Sequence, residues 1–217
     1  MQTGCSNIRS GIACRTMRMR HVVAAAVCVV LAACGGGGSE QSKRLRVVTT
    51  VSPITSIVGV VAGDRADVRG LIPEGADSHT FEPPPSAAKV LAQADVVFVN
   101  GLKLEDPTVE LARANLKKGA EIVELGTRTI TPDEYIYDFS FPKEGGKPNP
   151  HLWTNPPMAK EYGRIAAEVL ARRDPANAAV YRANFARFAQ RADELDEAMK
   201  KASATVPVRA LLTYHDA

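Results

Sequence analysis

Three short stretches of this chain each set one histidine in a loop: "ADSHTFEPPPS" at 76–86, "KPNPHLWTNPP" at 147–157 and "LLTYHDA" at 211–217. The chain has four histidines, and the fourth, His21, lies in a leader described below. Neutral imidazole is the commonest metal ligand among side chains, and Zn²⁺ takes three or four nitrogen or oxygen donors in a tetrahedron. His79, His151 and His215 are therefore candidate ligands of a single metal site. A lone loop histidine is ordinarily just a surface residue, so the joint pattern carries the reading: none of the three falls in an expected helix. Pro83, Pro84, Pro85, Pro150, Pro156 and Pro157 would set the loops before metal arrives and so lower the ordering cost of binding. Three imidazoles with an open fourth position also describe a catalytic zinc, which keeps a zinc-dependent hydrolase open as the alternative. Against it, the sequence has no HExxH helix. It also has no carboxylate spaced as a general base, Glu82 being the nearest.

The elements that must position these histidines alternate. "RVVTTV" (46–51) reads as a buried strand and "PITSIVGVVAG" (53–63) as a helix that opens on proline and stops at glycine. Strands follow at 67–72, 96–100 and 121–125, with helices at 85–94 and 107–119. Strand–helix alternation implies a parallel sheet with helices on both faces, and in such sheets ligands bind at the carboxyl ends of the strands. His79 and His215 each follow an expected strand there. Residues 126–157 break the rhythm as a long irregular connection holding His151, and long loops of this kind are usually functional. One helix then presents Met158, Tyr162, Ile165, Ala166 and Val169 on a single face. A second is expected over 175–203, with Asp174 as N-cap and Pro175 in the first turn. Its apolar stripe, Tyr181, Phe185, Phe188, Ala192, Leu195, Met199 and Ala202, reads as a packing face. "RALLTY" (209–214) reads as one more strand, close to the last residue. The expected fold is thus an α/β lobe, then a long connecting helix, then the first strand of a second α/β lobe cut short.

The other end of the chain supplies an address. Arg18 and Arg20, an apolar run from Val22 to Ala33 and a small-residue site follow the order of a secretory signal peptide, with Met17 or Met19 as a plausible true start. Twelve apolar residues are too few to span a bilayer. Leu31-Ala32-Ala33-Cys34 resembles the lipobox of bacterial lipoproteins, which implies a lipid on Cys34 and removal of residues 1–33. Gly35–Gly38 and Ser39 then form a flexible tether over 34–44. Processing would also remove Arg9, Arg15, Arg18 and Arg20, turning the formal charge of +3 into −1, so nucleic acid is not an expected partner. Cys5, Cys14 and Cys28 leave too, so neither a disulfide framework nor a thiolate metal site is expected.

Taken together, these segments resemble the solute-binding lipoproteins of bacterial ABC importers for zinc and manganese. "GADSHTFEPPPS" is similar to the family's Asp-x-His-x-[Tyr/Phe]-Glu-Pro-x-Pro segment, "NPHLWTNP" to its Asp-Pro-His-x-Trp segment, and "TYHDA" to its third histidine segment. "VFVNGLKLE" (97–105) is similar to its Asn-Gly-x-x-Leu-Glu stretch. Asn149 stands where the family often has aspartate. The resemblance implies that His79, His151 and His215 are metal ligands and that an acidic fourth ligand belongs to a second lobe this sequence lacks. It also implies domains at 45–174 (metal-binding lobe), 175–205 (connecting helix) and 206–217 (start of the second lobe). The implied protein is no enzyme. It is a monomer when full length, lipid-anchored on the extracytoplasmic face of the membrane, and hands its ion to an ABC permease. Zn²⁺ is expected over Mn²⁺, because three imidazoles favour zinc in the Irving–Williams order, although residues 126–148 lack the His-rich loop of many zinc members. An adhesin role is the remaining alternative, on which the residues are silent.

Overall fold

The computed structural model describes residues 44–207. Four short strands form one parallel sheet in the order β2-β1-β3-β4: β1 (Leu45–Thr49), β2 (Ala66–Gly70), β3 (Val96–Val99) and β4 (Glu121–Glu124). Register pairs Val47 with Val68 on one side and with Val96 on the other. Four helices lie between or after the strands: α1 (Ser52–Ala62), α2 (Pro85–Leu91), α3 (Asp106–Asn115) and the short α4 (Leu125–Thr129). Two longer ones follow, α5 (Pro156–Arg173) and α6 (Ala178–Thr205).

Side-chain alternation along the strands divides the core in two, because successive residues of a strand face opposite sides. Val47, Val96 and Phe98 pack with Ile54, Val58 and Val61 of α1 and with Tyr162, Ile165 and Val169 of α5. Val48, Val97 and Val99 pack with Leu91 of α2 and with Val109 and Ala112 of α3. Helices therefore cover both faces, as the near-continuous apolar strands require. The chain leaves β1 through α1 toward β2 and then crosses back to β3, so the winding reverses between β1 and β3. Such a reversal opens a crevice at the carboxyl edge of the sheet.

Three expectations need correction. The segment 126–157 is not wholly irregular: α4 follows β4 directly, and single 3-10 turns occupy Pro132–Glu134, Lys143–Gly145 and Leu152–Thr154. The long helix starts at Ala178, after a separate 3-10 turn at Pro175–Asn177. Asp174 caps no backbone amide of α6. Its Oδ2 instead accepts from the Asn177 side chain (2.8 Å) and from the Tyr181 hydroxyl (2.7 Å). Finally, the apolar stripe of α6 packs only in its first half. Tyr181 and Ala192 are buried, but Leu195 is 53% and Met199 48% exposed. For Met199 the cause is geometric: Lys160 of α5 pairs with Asp193, so the antiparallel α5, which begins at Pro156, ends opposite about residue 197. Beyond that point α6 continues without it, over a total length of about 42 Å at 1.5 Å per residue. The expected strand 209–214 lies outside the described residues.

Candidate metal site

The first histidine is set by its own loop. After β2 the chain bonds back to the β1 end (Leu71 N–H to Thr49 O, 2.9 Å; Ile72 N–H to Thr50 O, 3.1 Å). It then turns around Asp77, whose Oδ1 accepts from the His79 amide (2.9 Å) and whose Oδ2 accepts from the Thr80 hydroxyl (3.2 Å). A short carboxylate binding the backbone two residues on is the usual chemistry of an Asx turn. That accounts for an aspartate two positions before His79. His79 itself is exposed.

The second histidine is buried and tied from several sides. Asn149 Oδ1 accepts from the His151 backbone N–H (3.0 Å) and lies 2.8 Å from the His151 Nδ1. Because the backbone N–H can only donate, the Asn149 atom there is the oxygen, and so Nδ1 carries the imidazole proton. In the neutral ring Nε2 then holds the lone pair, the state a metal needs. The Asn149 amide donates in turn to Asp138 Oδ2 (2.8 Å). That bond, with the Phe141 and Ser140 amides adding, holds the Asp138 carboxyl below its usual range despite partial burial. Phe141 lies 5.7 Å from the His79 ring and 5.6 Å from the His151 ring, and Trp153 stands edge-on to His151 at 5.2 Å between ring centroids.

Two imidazoles 72 residues apart in sequence thus meet with Nε2 to Nε2 at 3.2 Å. Two nitrogens of a tetrahedral zinc, each about 2.05 Å from the ion, stand about 3.3 Å apart. The pair has the spacing of one edge of such a tetrahedron. His215 lies outside the described residues, as does Cys34, and among the described residues no group of three His, Cys, Asp or Glu side chains forms a metal cluster.

A buried polar network at the crevice between β1 and β3 supports His151 from below. Pro150 O accepts from Asn100 Nδ2 (3.0 Å), and Asn100 Oδ1 accepts from the Tyr162 hydroxyl (2.6 Å). Glu105, 2% exposed, accepts from the Thr50 hydroxyl (2.6 Å) and the Asn100 amide (2.6 Å) on Oε1, and from the Gly101 amide (3.2 Å) on Oε2. Burial pushes the Glu105 carboxyl up, and the three donors oppose that shift. Burial, and secondarily the Glu105 charge, also raise the Tyr162 hydroxyl. Between Asn100 and Glu105 the backbone is left-handed for three residues, Gly101, Leu102 and Lys103, at φ of 77°, 54° and 63°. Non-glycine residues avoid that region, so the Glu105 clamp holds a strained turn. The Asn-Gly-x-x-Leu-Glu stretch was visible in the sequence, but its role as the support of His151 was not. Asp138 and Phe141 carried no sequence signal at all, because only the folded loop brings them to the histidines.

Against known proteins, residues 47–217 match the family described as zinc-uptake complex component A, periplasmic (ZnuA). The chain belongs to this family. It is 34% identical over 168 residues to the manganese ABC transporter substrate-binding lipoprotein PsaA of Streptococcus pneumoniae, covering 76% of this chain and 54% of that protein. It is 29% identical over 160 residues to the iron ABC transporter substrate-binding lipoprotein MtsA of Streptococcus pyogenes serotype M1, covering 74% and 52%. Its fold resembles the periplasmic zinc binding protein TroA from Treponema pallidum, with a TM-score of 0.67, 22% identity and coverage of 76% and 57%. The chain spans about half the length of the curated relatives it matches. PsaA and MtsA are both named as ABC transporter substrate-binding lipoproteins.

Proposed function

We propose that this chain carries the metal-capturing lobe of an extracytoplasmic, lipid-anchored substrate-binding protein that delivers a divalent transition metal to an ABC importer. The observation that carries the reading is the Nε2–Nε2 separation of 3.2 Å between His79 and His151, at the carboxyl edge of a doubly wound sheet. Names among the relatives span manganese, iron and zinc, and all fit a nitrogen-rich site. Of these ions Zn²⁺ is the proposed cargo, since imidazole donors favour it over Mn²⁺ and Fe²⁺ in the Irving–Williams order. His215 is the proposed third ligand, and Cys34 the lipid attachment that keeps the protein beside its permease. Stable anchoring takes more than one acyl chain. The full-length protein would work as a monomer.

Competition titration with a chromophoric chelator tests this. Zn²⁺ should bind one-to-one and more tightly than Mn²⁺ or Fe²⁺, and His79→Ala and His151→Ala should each weaken it by orders of magnitude without unfolding the lobe. Wild-type affinity in either variant would remove that histidine from the site. Tighter binding of Mn²⁺ than of Zn²⁺ would overturn the choice of ion.

A further inference from the structure

We infer that Asp138 and Asn149 form a hydrogen-bonded relay that fixes the tautomer and orientation of His151. In it the negative charge sits one side chain further from the ligand than an aspartate at 149 would place it. The inference deepens the proposed metal-binding role and rests on that reading. Its basis is a chain of contacts with one consistent set of donors. The Asn149 oxygen receives both the His151 amide and Nδ1–H, which leaves the Asn149 nitrogen pointing at Asp138 Oδ2. Asp138 Oδ1 is meanwhile taken by the Ser140 amide (3.0 Å) and the Phe141 amide (2.9 Å). Every direction is therefore determined. The Asp138 carboxylate can only accept, so Asn149 cannot flip without facing two donors with its own amide. Groups that hold a ligand histidine in this way set its basicity as well as its angle. Asp138 is a positioning residue that acts through Asn149, and by binding the Phe141 amide it also seats the ring that lies beside both histidines.

The same geometry yields a sharp exchange test. In Asp138→Asn the Ser140 and Phe141 amides keep the new side-chain oxygen, so its nitrogen faces the Asn149 nitrogen, donor against donor. In Asn149→Asp two carboxylates meet at the 2.8 Å contact. The double exchange, Asp138→Asn with Asn149→Asp, restores an amide donating to a carboxylate, now with the charge next to His151. Zinc affinity should fall about 10–100-fold in each single variant and return to within about threefold of wild type in the double one, a large coupling by double-mutant cycle. Imidazole ¹⁵N shifts of the metal-free proteins give a readout that a merely structural role would not move. His151 should be protonated on Nδ1 in the wild type and the exchange variant, and lose that preference in Asn149→Leu. Single variants with wild-type affinity, an exchange that fails to recover, or an Nε2-protonated His151 in the wild type would each overturn the relay. If the wild type bound no zinc, the proposed function would fall, and the tautomer pattern would still decide the relay.

Discussion

Replacing Glu105 with alanine strips the acceptor from three buried donors at the centre of the crevice. The Thr50 hydroxyl can rotate to another partner, but the Asn100 and Gly101 amides, at 2.6 and 3.2 Å from the carboxylate, are fixed by the backbone. Each buried donor left unmet costs about 1–3 kcal/mol, which sets a range of roughly 2–6 kcal/mol for the pair. Relaxation of the left-handed residues Leu102 and Lys103 returns part of it, since such conformations hold of order 1 kcal/mol or more each. The expected net loss is about 3 kcal/mol, a large fraction of an ordinary domain's stability. Urea unfolding followed by circular dichroism measures it, with the slope m as a check that the two states are unchanged. Zinc affinity should fall as well, because Asn100 would no longer be held against Pro150. The pH dependence adds a second arm. Burial raises the folded Glu105 carboxyl above its ordinary 4.5. Its contribution is therefore fully present below that value and is lost as pH rises through the folded value. The stability gap between wild type and Glu105→Gln should narrow across that rise. A loss below about 1 kcal/mol in the alanine variant, at unchanged m, would refute the clamp.

Other outcomes follow from single contacts. In Gly163→Ala the added methyl would meet Phe188 Cδ1 at 2.8 Å and Cε1 at 2.9 Å, so the half-buried Phe188 ring must move or α5 and α6 must separate, at about 1–3 kcal/mol by thermal unfolding. Thr108 is fully buried, and its hydroxyl has no hydrogen-bond partner among the described residues. Thr108→Val should therefore leave the unfolding midpoint unchanged or raise it, by up to about 1 kcal/mol of stability. Cys34→Ala should move the expressed protein out of the membrane fraction, as cell fractionation would show; unchanged partitioning would argue against lipidation.

Much of this protein is written locally. Apolar strands alternating with helices determine a parallel sheet covered on both faces, because that is the way such strands lose their water. The loop histidines and their prolines mark a candidate metal site for the same local reason: turn chemistry depends on a few neighbouring residues. What only the tertiary structure decided is long-range. His79 and His151 come within 3.2 Å because the reversal between β1 and β3 puts their loops over one crevice, a fact of strand order that no short segment encodes. Glu105 stands in the sequence only as the last residue of the Asn-Gly-x-x-Leu-Glu stretch; its burial is long-range, since its three donors come from the ends of β1 and β3. Asp138 gains a role only through the path of residues 138–151. The outer end of the α6 stripe shows the converse: Met199 keeps the helical period of packed residues, but periodicity specifies a face and says nothing of whether a neighbour reaches that far.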